Sequence, residues 1–176
     1  MVSWKGAVVL LAAVAVLVGY LIANRPRPAP ATPALIPCAA LNTTYLLIKG
    51  GGRTLEIERS SPSASWEVRQ PVAAPGDPEV VDILVNEVNS VQVLNTIPSP
   101  KPGDQYGLTD PGLAVTCRVN GGRSYNLTVG NQSFDGSGYY AQKGGDHRVL
   151  VISKVEVDGF ERALATPPVK ASPSPP

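Results

Sequence analysis

The chain has 176 residues and a formal net charge of +1, one domain's worth of sequence with no basic excess. All 14 acidic residues lie within 41–165 beside only 11 of the 15 basic ones, so that stretch is mildly acidic and offers no basic stripe to nucleic acid. A single histidine and two cysteines outside any C-x-x-C spacing do not make a zinc site.

The N-terminus carries the strongest pattern. Gly6 to Ala23, GAVVLLAAVAVLVGYLIA, is an uninterrupted apolar run of 18 residues without charge or proline. As a helix rising about 1.5 Å per residue it reaches about 27 Å, close to the hydrocarbon thickness of a bilayer. The run is long for a signal peptide, and Asn24-Arg25-Pro26-Arg27 after it is a poor cleavage site. A lipoprotein site needs a small residue before its cysteine, whereas Pro37 precedes Cys38. The expectation is an uncleaved signal-anchor in residues 1–24, with 6–23 in the lipid bilayer. Lys5 and the terminal amine nearly balance Arg25 and Arg27, so charge does little to set orientation. The five-residue head favours a cytoplasmic N-terminus and an extracytoplasmic domain.

Residues 25–43 hold five prolines and no hydrophobic period, the composition of a semi-rigid polyproline spacer. The tail 166–176 also holds five prolines and no core pattern, and reads as disordered. Between them, 44–165 reads as one α+β domain of antiparallel hairpins with two helices.

Thr44–Lys49 and Arg53–Glu58 alternate across Gly50-Gly51-Gly52 as a hairpin, and Ser65–Arg69 adds a strand with Trp66 and Val68 facing the core. Asp77-Pro78-Glu79 is a helix-start signature. The following helix is expected to bury Val80, Ile83, Leu84, Val88 and Val91, with Asp82, Asn86, Glu87 and Asn89 in solvent. Val91–Ile97 continues as a short strand, and Ser99–Gly112 is a Pro- and Gly-rich loop. Leu113–Val119 and Arg123–Gly130 form a second hairpin around Asn120-Gly121-Gly122. Tyr139–Lys143 and His147–Ile152 are the last strands, and Ser153 with Glu156 has capping-box spacing ahead of the final helix.

Cys38 and Cys117 can pair in an oxidising compartment and close a long loop; elsewhere they stay free. Cys117, inside AVTCRV, also reads as a small core residue, and the spacer position of Cys38 weighs against pairing.

Gly51-Gly52-Arg53-Thr54-Leu55-Glu56-Ile57 recurs as Gly121-Gly122-Arg123-Ser124-Tyr125-Asn126-Leu127. The echo suggests two related β-meander–helix halves, although Gly-Gly-Arg-Ser/Thr is also common turn chemistry.

The order Trp66-Glu67-Val68, a helix at Asp77, Tyr106-Gly107-Leu108 with Asp110-Pro111, Leu127-Thr128-Val129-Gly130 and Gly138-Tyr139-Tyr140-Ala141 resembles a bacterial family known as domain of unknown function 4340, over roughly 44–164. The resemblance implies a membrane-anchored, exported protein, in some members encoded near exporter-type ABC transporter and gliding-motility components. It implies no catalytic residues. Within it Tyr106, Gly107, Leu108, Asp110 and Pro111 form the candidate interaction or structural motif. Physically they read as a corner: Gly107 takes a backbone angle other residues avoid, Leu108 plugs the core, and Pro111 stops pairing.

No catalytic constellation emerges. His147 follows a turn, and G-x-S-x-G is absent from the sequence. Glu56, Glu58 and Glu67 fall on the wet side of their strands. The expected function is therefore non-enzymatic and without cofactor or metal: a membrane-tethered domain contacting a membrane or envelope protein partner. The alternative is a small-molecule or glycan module using Tyr106, Phe134, Tyr139 and Tyr140 as a loop-borne aromatic surface.

Overall fold

The computed structural model describes residues 4, 14–20, 34–101 and 104–171. The chain divides into two units, Met1–Thr32 and Pro33–Pro176. In the first, residues 14–20 are helical. Most of the span expected over 6–23 lies outside the described residues, and no helix among those described is long and apolar enough to cross a membrane. Of the tail expected to be disordered over 166–176, residues 166–170 are instead hydrogen-bonded to α-helical and strand-edge backbone, and those beyond 171 lie outside the described residues.

The second unit is α+β. Its strands are β1 (Thr43–Gly50), β2 (Arg53–Glu58), β3 (Glu67–Gln70), β4 (Ala74–Pro75), β5 (Val93–Ile97), β6 (Leu113–Val119), β7 (Ser124–Gln132), β8 (Gly138–Lys143) and β9 (Val149–Ser153), with helices α1 (Pro78–Asn89) and α2 (Lys154–Ala165). All nine strands join one antiparallel sheet in the order β4-β3-β2-β1-β6-β7-β8-β9-β5. The glycine turns close the two hairpins as their composition requires: Gly51 and Gly52 have φ of 55° and 73°, Gly121 and Gly122 of 90° and 83°.

Outward from the central β1–β6 pair, the two sides run in parallel. One reads β1-β2-β3-β4 and then α1; the other reads β6-β7-β8-β9 and then α2. Each helix has 12 residues. The chain leaving each helix then pairs at the far end of the opposite quartet: β5 follows α1 and joins β9, while Val169 follows α2 and bridges Gly76 beside β4. Lys170 N donates to Pro75 O and Asp77 N to Pro168 O, both at 2.9 Å. Each edge is thus covered by chain from the other side.

The core lies between one face of the sheet and the two helices. Leu46, Ile48, Leu55, Ile57, Val115, Leu127 and Val129 from the strands meet Val81, Leu84, Val85 and Val88 of α1 and Val157, Phe160 and Leu164 of α2 in one cluster. α1 begins where expected, with Asp77 Oδ1 accepting from Glu79 N and Val80 N. Its buried face differs: Val80 and Ile83 are 48% and 61% exposed, and Val81 and Val85 take their place. The helix is apolar on more than one side, so two phases compete, and its polar residues choose between them. Asp82 Oδ1 accepts the Trp66 indole N–H at 2.9 Å, and Asn86 Oδ1 accepts Ala40 N at 3.3 Å. Asn86 is exposed as expected, whereas Asp82 is partly buried.

Two further readings change. The spacer expected over 25–43 contributes its end to the core, where Ile36 and Cys38 are fully buried. Cys38 and Cys117 form a disulfide with Cα atoms 6.5 Å apart, binding that segment to β6. Ser153 Oγ caps α2 through Val155 N, but Glu156 does not complete a capping box; its Oε1 accepts Gln92 N from another segment.

Candidate functional site

The loop between β5 and β6 is built around Asp104–Tyr106, a single 3-10 turn. Gly107 N donates to Asp104 O at 3.0 Å, and Thr109 N to Asp104 Oδ1 at 3.2 Å, which closes the loop on itself. Gly107 is buried with φ of 67°, the left-handed region where a Cβ is costly. The loop packs on β7 at Gly130 and Asn131, where the β7–β8 register shifts between Val129 and Gln132. Such an irregularity bends a strand and re-aims its side chains.

Beyond β7 the chain turns through Ser133–Gly138. Ser133 N donates to Gly138 O at 2.8 Å, and Gly138 N returns to Ser133 Oγ at 3.0 Å. The Asp135 carboxylate accepts Ser133 Oγ at 2.7 Å, Ser137 N at 3.1 Å and Ser137 Oγ at 2.8 Å. These bonds, that from the Ser133 hydroxyl foremost, hold the Asp135 carboxyl at about 2, below its ordinary 3.8. The clamped turn presents Phe134 with its side chain fully exposed, while Phe134 N donates to the Tyr140 hydroxyl at 3.3 Å.

Tyr106 and Tyr140 meet edge to face, with ring centroids 5.0 Å apart and planes at 78°. Tyr140 lies opposite Val151 in the β8–β9 pairing, on the side of the sheet away from the helices. Val149 and Val151 are buried there, outside the main cluster. The two loops and these strands enclose an open cleft of about 580 Å³ lined by Ile97, Ser99, Lys101, Gln105, Tyr106, Asn131, Gln132, Phe134 and Tyr140. Three aromatic residues, three carboxamide residues and one lysine therefore border a common space. No carboxylate or histidine is among its lining residues.

The candidate residues divide between this cleft and other places. Tyr106, Phe134 and Tyr140 line it, whereas Tyr139 packs against the main core. Gly107 is not among its lining residues but packs against Gly130 and Asn131 next to it. Leu108 and Pro111 are half-buried outside the core cluster, so Leu108 does not plug it, and Asp110 is exposed. The Cys38–Cys117 disulfide stands elsewhere, on β6. His147 is exposed in the turn before β9. Glu58 and Glu67 both bind Arg69, at 2.7 and 2.8 Å, and Glu56 accepts the Tyr45 hydroxyl at 3.0 Å. Lys101, Gln105, Asn131 and Gln132 had no pattern to mark them. Their one signal is a phenylalanine set among polar residues in Asn131-Gln132-Ser133-Phe134-Asp135.

Among the described residues, no three histidine, cysteine or carboxylate side chains stand together as a metal site. No curated protein and no solved structure matches the chain. The model of the family described as "Domain of unknown function (DUF4340)" matches residues 66–166, a span that contains both loops of the cleft and the Tyr106-Gly107-Leu108 element. The chain belongs to that family.

Proposed function

We propose that the chain is a non-enzymatic recognition domain tethered to a membrane, and that it binds a glycan or small organic ligand in the cleft beneath Phe134. The observation that carries this reading is the cleft itself: Tyr106, Phe134 and Tyr140 converge on one concavity with carboxamides at its rim. Aromatic faces stack on the C–H faces of sugar rings, and a few placed polar groups fix orientation. These groups bind; none of them is a natural proton-transfer pair. The test is a saccharide panel probed with the full chain and its Phe134→Ala variant in detergent. Binding by the first and its loss in the second is the expected result, and identical profiles would remove the reading.

The location belongs to the same proposal. The apolar run 6–23 and the proline-rich segment after it support a single-pass anchor and spacer. The Cys38–Cys117 pair supports an extracytoplasmic domain, because such bonds persist in oxidising compartments. A phosphatase fused at Pro176 should be active outside the cytoplasm. We also read the two quartets with their helices as copies of one ancestral unit, a reading supported by the 51–57 and 121–127 echo.

A second reading rests on a different surface. Val80 and Ile83 border an apolar groove of about 260 Å³ between α1 and α2, with Gly159, Arg162 and Ala163 opposite. This supports protein–protein contact, as an accessory to a transporter or envelope complex. Crosslinking from Ile83 in membranes tests it; an absence of adducts there would count against it.

A further inference from the structure

We infer that the ligand of the aromatic cleft is a saccharide chain bearing carboxylates, an inference that rests on the reading of that cleft as a saccharide site. Lys101 is the one charged side chain among the lining residues. Of the three carboxylates on the adjoining loops, Asp110 is exposed and not among the lining residues, and the other two are bonded within their own loops. Asp104 accepts Thr109 N, and Asp135 is occupied by Ser133 and Ser137. A lysine thus lines the cleft with no carboxylate among the other described lining residues, in a domain that is otherwise mildly acidic. The complementary ligand carries negative charge at that point and hydroxyls along the rest.

The shape favours a chain over a compact molecule. The cleft is open, and the Phe134 ring stands in solvent on a turn whose backbone is closed by hydrogen bonds. A fully exposed ring has no packing role, yet on a turn of fixed backbone it offers a sugar ring a stacking face. Gln105, Asn131 and Gln132 carry donors and acceptors, the inventory that hydroxyl groups need, although Asn131 Nδ2 already donates to Gln105 O and Gln132 Nε2 to Gly136 O, each at 3.5 Å. The carboxylate meets Lys101 while neighbouring rings of the chain stack on Phe134.

The experiment is titration calorimetry of the full chain in detergent at low salt, with tetragalacturonate and its methyl ester as probes. The acid should bind about 2- to 5-fold more tightly than the ester, and Lys101→Gln should erase that preference. Phe134→Ala should weaken both by about 3- to 10-fold while leaving the melting temperature unchanged. Equal binding of acid and ester by the unaltered protein overturns the carboxylate assignment and leaves the saccharide reading standing. Failure to bind either, or identical affinities with and without Phe134, overturns both. Binding of poly-L-proline instead, lost in Phe134→Ala, assigns the cleft to a polypeptide and also overturns the inference.

Discussion

Gly107 and Gly130 sit where the β5–β6 loop meets β7 so closely that neither has room for a Cβ, Gly130 because of Tyr106 O and the Gly107 carbonyl and Gly107 because of Asn131. One added to Gly130 would lie 2.7 Å from the carbonyl carbon and oxygen of Gly107, and one added to Gly107 would lie 2.5 Å from Asn131 Oδ1. The two glycines set the loop on β7 and so place Tyr106 against Tyr140. Gly107→Ala and Gly130→Ala should each cost about 1–3 kcal/mol of stability, from steric displacement and, at Gly107, from the left-handed φ as well. Urea unfolding measures this, and unchanged midpoints would contradict the interlock.

Cys38 and Cys117 are both buried, so their bond joins a core residue before β1 to the centre of the sheet. Replacing both with serine should lower stability by about 2–4 kcal/mol. Reductant should slow the unaltered chain on a non-reducing gel and leave the double variant alone. A mobility insensitive to reductant would show that the bond is absent.

Arg59 stacks on the Trp66 ring at 4.0 Å and donates to Thr43 O at 2.8 Å and to Ala40 O. It joins the segment before β1 to the hydrogen bond between Trp66 and Asp82. Arg59→Ala should destabilise by about 1–3 kcal/mol, and Arg59→Lys should recover only part, since an ammonium lacks the planar face that lies on the indole while its edge donates. Full recovery by lysine would mean that charge alone is at work.

Much of this architecture could be read from residue order. Glycine turns between alternating runs marked both hairpins, and Asp77-Pro78 marked the start of α1. The rotation of α1 could not be read, because Val80, Val81, Ile83, Leu84 and Val85 leave two apolar phases available and the choice depends on Trp66 and Ala40. Ile36 and Cys38 were obscured by the prolines around them. Of the cleft, the aromatic residues could be picked out, but not their convergence. Tyr106 and Tyr140 are brought together by the Gly107–Gly130 approach and the irregular end of β7, neither of which has a period in the sequence.

The Asp135 clamp gives a pH signature. Its carboxyl is held at about 2 against an ordinary 3.8, so the folded state favours the charged form. Its contribution to stability is complete above the ordinary value and declines as pH falls from there towards about 2. Ser133→Ala should return the titration towards 3.8, as followed by carboxyl carbon shifts in NMR. No movement would mean that Ser133 does not hold the turn.

The account stands on the aromatic cleft as the binding surface, and NMR shift mapping with tetragalacturonate tests that most directly. The predicted result is perturbation concentrated at Tyr106, Gln132, Phe134 and Tyr140. Perturbation at Val80, Ile83 and Arg162 instead would move recognition to the groove between the helices and contradict it.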